Sequence, residues 1–569
     1  MRKLIISLTI VLPGLSVPAN VLTPDQALQR MSAIGRSKSS AILSARPSSY
    51  KPSSYKLVGM AEGKTGPTSY IFNCPENGYV ILSADDNVCP ILGYAEKGNI
   101  DAMDIPCGLT AWLDTYSRQI DEAREAGMSN PQAVESRADD RQPLAPALTT
   151  QWGQSTPYNK ICPIVGEKQC VTGCVATAMA QVLNYYQYPL HGRGSYSYQW
   201  DKWENDEIVH EELSMDYSNT TFDWTNMLDR YDENYTDKEA DAVAQLMYAC
   251  GVAVKMGYGT GASGAISGFV PYSLWQFFDY DAKAQYIQRD CWKEEGKKWD
   301  DFIYEQLLEH GAILYNGVTS ANEGHAFVCD GYSGDGYFHF NWGWNGMSDG
   351  WFRLDALNPE HQGTGGSSTA LAFNYNQSIV AFLDREDKGG EFLPSISGRD
   401  ENFNVTNSNV SLGGKFTVTG WLVNESQLDY DIDFGCLLTD SEYGTEGEVI
   451  PVFSFELKSC EAKSIFKKGQ FPSDIADGFY CMRPVITWAG LGRWWTVPWN
   501  VKKDHVWVEV KDGTAYFNVT PELSGIGEVR EDNSSLPRYI NLQGLYVKDP
   551  QAGETYIRIS NSGASKVIF

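Results

Sequence analysis

Residues Thr172-Gly173-Cys174-Val175-Ala176-Thr177-Ala178-Met179-Ala180-Gln181-Val182-Leu183-Asn184-Tyr185-Tyr186 decide the reading of this chain. Val175, Met179, Val182, Leu183 and Tyr186 recur at helical spacing, and Pro189 stops the pattern. Cys174 therefore opens a helix. There the unpaired amide N–H groups and the helix dipole stabilise an anion and lower a thiol pKa, which is what a nucleophilic cysteine needs. A buried structural cysteine fits the same pattern, so position alone does not choose.

A nucleophilic thiol also needs a base, and there are seven histidines, at 191, 210, 310, 325, 339, 361 and 505. His325 stands in Asn322-Glu323-Gly324-His325-Ala326-Phe327-Val328, where Gly324 clears space ahead of an apolar strand and lets the ring face a cleft. His339 lies within Tyr337-Phe338-His339-Phe340-Asn341, where a satisfied core or surface histidine is the plainer reading. The rest lie in polar or chain-end contexts that a surface role explains. Cys170 and Cys174 are the closest cysteine pair and no second pair lies nearby, so neither a metal nor a cofactor is expected.

Around this stretch run 569 residues, a length that predicts about three to five domains. Lys and Arg total 45 against 72 Asp and Glu, and the net charge of -27 repels phosphate backbones and so excludes nucleic-acid binding. Aromatic residues make up 13% and hydrophobic ones 42%, enough to fill several cores. Met1-Arg2-Lys3, the apolar run Leu4 to Val17 and Val17-Pro18-Ala19 have the order of a secretory signal peptide. No later run is long and apolar enough to predict a membrane span. The twelve cysteines are too sparse for a disulfide-built scaffold.

The chain divides into a signal peptide (1–19), an α+β unit with its linker (20–146), a catalytic block (147–385), a β-sandwich (386–520) and a linker with a small all-β tail (521–569). Tyr70-Ile71-Phe72 and Tyr79-Val80-Ile81-Leu82 bracket Pro75-Glu76-Asn77-Gly78 and predict a hairpin. Leu109, Trp112, Leu113, Tyr116, Ile120 and Ala123 predict an amphipathic helix. Residues 127–149 are polar and Pro-rich and read as an exposed linker open to proteolysis. Period-two runs such as Lys415–Thr419 and His505–Val510 predict an immunoglobulin-like sandwich.

Four motifs in order, Thr172–Gln181, Gly324–Val328, Asn341-Trp342-Gly343-Trp344 and Gly350–Pro359, resemble the streptopain family of secreted bacterial cysteine peptidases. The resemblance covers about 150–385 and extends to the hairpin and helix before it, which are similar to that family's inhibitory prosegment. It implies a papain-like fold without cofactor or metal, and an endopeptidase acting on proteins and peptides. His325 lies 151 residues after Cys174, close to papain-like spacing of about 130–150, although the papain motif around the cysteine is absent. By resemblance Cys174 is the nucleophile, His325 the base, and Asn341 and Trp342 orient and shield the histidine. Strict strand alternation would send those last two side chains to opposite faces unless the strand ends or bulges there. Gln154 and the Cys174 N–H would form the oxyanion hole, with Gln151 as a rival that spacing does not dismiss.

The run Tyr258–Ala265, with Ser263 and Gly264, resembles the family's substrate-binding wall, and Gly324 borders the histidine. Without Gly-Lys-Ser/Thr the run is not a phosphate loop. Gly363, Gly365 and Gly366 suggest either a loop bordering the cleft or a plain turn. The prosegment implies a zymogen, cut near Arg141-Gln142. The family's asparagine ahead of the inhibitory helix is replaced here by Ile105-Pro106-Cys107-Gly108, which leaves Cys107 as a thiol touching the site or as a spectator. The last unit, with Asn541-Leu542-Gln543-Gly544, Gly553 and Tyr556-Ile557, resembles the sorting domain of proteins exported by the type IX system of Bacteroidetes, or is a plain β-domain. The rival functions are a cell-wall amidase and a surface adhesin binding through Trp494, Trp495 and Trp499.

Overall fold

The computed structural model describes residues 21–34, 54–125, 141–354 and 377–520 apart from short interruptions, together with four strands between Arg538 and Ile568. The expected signal peptide, residues 126–140 of the linker, Asn358, Pro359 and the 363–366 glycines, and Asn541–Gly544 with Gly553 lie outside the described residues.

The first unit comprises α1 (Pro24–Ile34), β1 (Lys56–Gly63), β2 (Gly66–Asn73), β3 (Tyr79–Ser83), β4 (Ile91–Ala95) and α2 (Cys107–Glu125). Its strands form an antiparallel meander, and the expected hairpin is β2–β3 with Asn73 opposite Tyr79. Alternation divides the side chains between two cores. Tyr70, Phe72, Val80 and Leu82 meet Ala27, Leu28 and Met31 of α1. Ile71, Tyr79 and Ile81 face the other way, into the core that takes Leu109, Trp112, Leu113, Tyr116 and Ile120 of α2. The amphipathic helix is the one its spacing predicts, begun two residues earlier at Cys107.

The catalytic block adds β5 (Ile164–Val165), β6 (Lys168–Gln169), α3 (Cys174–Tyr186), the long hairpin β7 (Ser195–Glu204) and β8 (Glu207–Asp216), α4 (Asp237–Ala253), α5 (Val270–Phe277), β9 (Gln285–Gln288), α6 (Trp299–His310), β10 (Ile313–Val318), β11 (Gly324–Tyr332), β12 (Phe338–Asn341), β13 (Gly350–Phe352) and β14 (Ser378–Ala381). One antiparallel sheet runs through both units in the order β1-β2-β3-β4-β13-β12-β11-β10-β14-β9. Prosegment and catalytic block meet where Trp351 pairs with Tyr94 and Phe352 with Gly93. On one face Leu314, Ala326, Val328 and Val380 join the core of α3 and α4. On the other, Tyr315, Phe327, Phe340 and Phe352 pack with α2 and α6.

Trp112 of α2 sits at the centre of that second face, fully buried, with the rings of Tyr315, Phe327, Phe340 and Trp342 at 4.8–6.5 Å. Its Nε1–H donates to the Arg353 carbonyl at 3.2 Å.

Residues 141–148, expected as exposed linker, are half exposed and touch the end of β11. Leu144 and Tyr332 exchange both main-chain bonds, and the Ala147 and Leu148 N–H groups donate to the main-chain oxygen and side chain of Asp330. Arg141 donates to the Asp300 carbonyl and the Tyr332 hydroxyl and lies over the Tyr332 ring. A backbone that finds a free strand edge pairs with it, whatever its own polarity.

Beyond residue 390 two antiparallel sheets share one core. Phe416, Val418, Leu422 and Ile465 come from one sheet, and Ile432, Phe434, Met482 and Ile486 from the other. Lys293 ties this unit to the catalytic block through Glu442 at 2.6 Å and Asp504 at 3.3 Å. The last four strands, Arg538–Ile540, Tyr546–Val547, Thr555–Ser560 and Gly563–Ile568, form a separate antiparallel sheet.

Deleting the Trp112 ring removes the hub between helix and sheet. Trp112→Ala should destabilise the intact chain by about 3–5 kcal/mol in denaturant titration. A loss below about 1 kcal/mol would mean that the prosegment and catalytic cores are not one unit.

Candidate active site

Gly173 precedes α3 with φ 88 and ψ 145, a backbone conformation that glycine adopts without steric cost. A Cβ here would also lie 2.7 Å from the Met256 sulfur and 3.0 Å from the Ser263 carbonyl oxygen. The tight turn brings Cys174 against the sheet. N–H groups of Ala326, Val175 and Cys174 itself reach the thiol. Burial pushes the thiol up and those three donors pull it down; in the intact chain burial dominates and the thiol lies above its ordinary range.

Ala326 is the residue after His325, so the cysteine and the histidine motif meet at adjacent backbone positions. His325 is half-buried, opposite Gly317 near the start of β11, and Gly324 beside it is exposed.

Asn341 ends β12 opposite Val328 and is buried. Its Oδ1 accepts from Gln181 Nε2 and the Gly343 N–H, both at 3.0 Å, and its Nδ2 donates to the Thr150 carbonyl at 2.8 Å. These bonds run to α3 and to the segment after the linker. Trp342 follows the end of the strand and leaves on the opposite side, as alternation requires. Its ring lies 4.7 Å from Phe327 and 5.0 Å from Phe352, its Nε1–H donates to the Ser348 carbonyl, and its backbone N–H donates to Asp349.

The Gln154 carbonyl accepts from the Thr172 N–H at 3.0 Å, two residues before Cys174. Gln151 instead places its side chain beneath Gly346, whose Cβ would lie 2.7 Å from the amide carbon. Ser263 is buried and donates to the Val171 carbonyl at 2.7 Å, fastening the Gly-rich run to the loop ahead of Cys174. Gly264 is exposed with open space where a Cβ would point, and it exchanges two main-chain bonds with Gly257. Among the described residues no cluster of His, Cys, Asp and Glu could hold a metal.

Helix α2 covers the site from the prosegment side. Gly108 lies against Trp342, where a Cβ would come within 2.7 Å of the indole and 3.2 Å of Phe327. Cys107, at the tip of the helix, stands close enough to Cys174 for the two thiols to interact electrostatically; burial, with Cys174 adding to it, pushes Cys107 up to about 12.

Sequence reasoning missed four supporting groups. Gln181 lies two helical turns after Cys174 within the opening motif, so helical arithmetic alone could have marked it. Thr150, Asp330 and Asp349 carry no local signal. Asp330 is fully buried and pairs with His339 Nδ1 at 2.6 Å, which makes His339 the satisfied histidine that its aromatic context suggests.

A thiol at a helix start, a histidine strand beside it and a covering N-terminal unit define a papain-like cysteine peptidase carried as a zymogen. Residues 152–352 match the model of the peptidase C10 family, and residues 20–120 match that of the Spi protease inhibitor. The chain is 32% identical over 381 residues to streptopain of Streptococcus pyogenes, covering 64% of this chain and 94% of the relative. It is 33% identical to the thiol protease/hemagglutinin PrtT of Porphyromonas gingivalis over 55% of this chain and 37% of that one. Among solved structures, a mutant fragment of prointerpain A from Prevotella intermedia is 34% identical with a TM-score of 0.47, covering 59% of this chain and 99% of the fragment. Active interpain A from the same organism is 39% identical with a TM-score of 0.36, covering 43% and 96%. The chain belongs to the streptopain-like cysteine peptidases of the C10 family, and it is a cysteine endopeptidase.

Two substitutions test this geometry. Gly173→Ala should destabilise the chain by about 1–3 kcal/mol, read by denaturant titration, and reduce thiol labelling at Cys174. Burial pushes the Asp349 carboxyl up to about 7, against the Trp342 N–H and His339, which pull it down. A folded-state pKa above the unfolded one means that ionising Asp349 costs stability as pH rises from about 4 to about 7. Asp349→Asn keeps an acceptor for Trp342 and removes that cost. Thermal melts should show the variant-minus-parent difference in Tm rising between about pH 5 and about pH 7.5, and a pH-independent difference would count against the argument.

Proposed function

We propose that Cys174 and His325 are the catalytic pair of a secreted endopeptidase. The observation that carries this reading is that α3 packs against β11, with Cys174 lying against the core that holds Ala326, the residue after His325. His325 takes the Cys174 proton, and the thiolate attacks the scissile carbonyl carbon. The Cys174 N–H and the Gln154 side chain stabilise the oxyanion, as the placement of Gln154 next to Thr172 supports. His325 then gives its proton to the leaving amine, and water releases the acyl group from sulfur.

Asn341, itself held by Gln181 and Thr150, orients the His325 ring, and Trp342 shields it. Ser263, Gly264 and Gly324 border the path of the substrate, which is a protein or peptide chain. Residues 20–146 act as the inhibitor, 147–385 as the peptidase and 386–520 as an immunoglobulin-like sandwich. The signal at 1–19 directs export, and the tail from 521 to 569 directs type IX sorting. Trp499 is 1% exposed, inside the sandwich core, so it serves packing and not the adhesin alternative.

Cys174→Ala should be secreted and folded yet lose casein hydrolysis by at least about a thousandfold and fail to process itself. Retained hydrolysis in that variant would move the nucleophile elsewhere. If casein survives while cell-wall peptides are cleaved, the amidase reading holds instead.

A further inference from the structure

Resting on the peptidase reading, we propose that the edge of β13 becomes a docking site for extended segments of protein substrates once the prosegment has left. In the intact chain this edge is filled. β4 supplies the next strand, Trp351 pairs with Tyr94 and Phe352 with Gly93, and the Arg353 N–H donates to the Leu92 carbonyl at 3.0 Å. Cutting the linker and releasing residues before it leaves β13 paired only with β12, and its outward main-chain groups are unpaired. An open edge of this kind recruits a strand from another chain, with main-chain bonds supplying affinity and side-chain pockets supplying selection.

The edge is connected to the candidate site. The Phe352 ring lies 5.0 Å from Trp342, which directly follows Asn341. A polypeptide long enough to reach from the cleft to the edge can occupy both places, whereas a three-residue peptide in the cleft cannot.

The prosegment shows what the edge accepts. A Cβ at Gly93 would lie 2.5 Å from Phe352 Cδ1 and 3.1 Å from the Trp351 carbonyl oxygen, so the residue opposite Phe352 must be glycine. The next residue, Tyr94, packs edge-on against Tyr337 at 5.3 Å between ring centroids. The preferred occupant is therefore an extended apolar segment with glycine followed by an aromatic residue.

The test uses the enzyme cut at the linker and freed of its prosegment and a synthetic peptide spanning Val88 to Glu96, with a Gly93→Val peptide as control. The peptide should raise KM for unfolded casein about fivefold at saturation with kcat unchanged, and leave a three-residue fluorogenic substrate unaffected; the Gly93→Val peptide should do neither. Equal inhibition of both substrates would place the peptide in the cleft, and an unchanged KM for casein would leave the edge without a role in substrate binding; either overturns the proposal. The same peptide should bind the Cys174→Ala chain, cut in trans by active enzyme, with saturable quenching of tryptophan fluorescence. That arm does not depend on catalysis, so failure to bind rejects the edge site even when casein hydrolysis confirms the nucleophile, and binding stands apart from any failure of the Cys174 assignment.

Discussion

A single buried amide contact, Gln181 Nε2 donating to Asn341 Oδ1, joins the helix of Cys174 to the sheet of His325. The rest of the site is built around it. Gln181 Oε1 accepts from the Thr150 hydroxyl at 2.9 Å, Asn341 Nδ2 donates to the Thr150 carbonyl, and Gly343 completes the second lone pair of Asn341. Helix, strand end and the chain leaving the linker are thus held at one point. Leaving any one of these polar groups buried and unpaired costs about 1–3 kcal/mol, so the three segments are held to one another by more than packing.

The prosegment is part of the same fold as the catalytic block. It adds four strands to the catalytic sheet and lays α2 across the aromatic face, with Gly108 on Trp342 and Cys107 near Cys174. Cover by a shared sheet and a shared core rests on many weak contacts and on no single residue. The family's asparagine can therefore be missing at 105–108 while the site stays covered. Burial in the intact chain also raises the Cys174 thiol above its ordinary range.

The linker shows the limit of reading composition. Polar and Pro-rich residues predicted an exposed tether, and Gln142, Pro143, Ala145 and Pro146 are exposed, yet Leu144, Ala147 and Leu148 bond to β11, because Asp330 and Tyr332 offer polar groups that must be paired. The Trp-rich stretch of the sandwich suggested a binding surface, and Trp499 lies in its core, pressed against Gly398. In both places local composition was right about chemistry and silent about the neighbours.

By itself the sequence determined the helix that Cys174 opens, the β2–β3 hairpin, the amphipathic α2 and the succession of an α+β unit, a catalytic block and β-rich units. Each follows from spacing along the chain, and the ordered motifs were enough to mark the peptidase family. Only the tertiary structure decided that β4 pairs with β13, that Gln181 and Thr150 hold Asn341, that Asp349 receives the Trp342 N–H, and that the Gln151 side chain lies beneath Gly346. These contacts join residues far apart in the chain, and no local period encodes which distant partner will satisfy a buried donor. The choice is made by the competition of whole surfaces for burial, which exists only once the chain has folded.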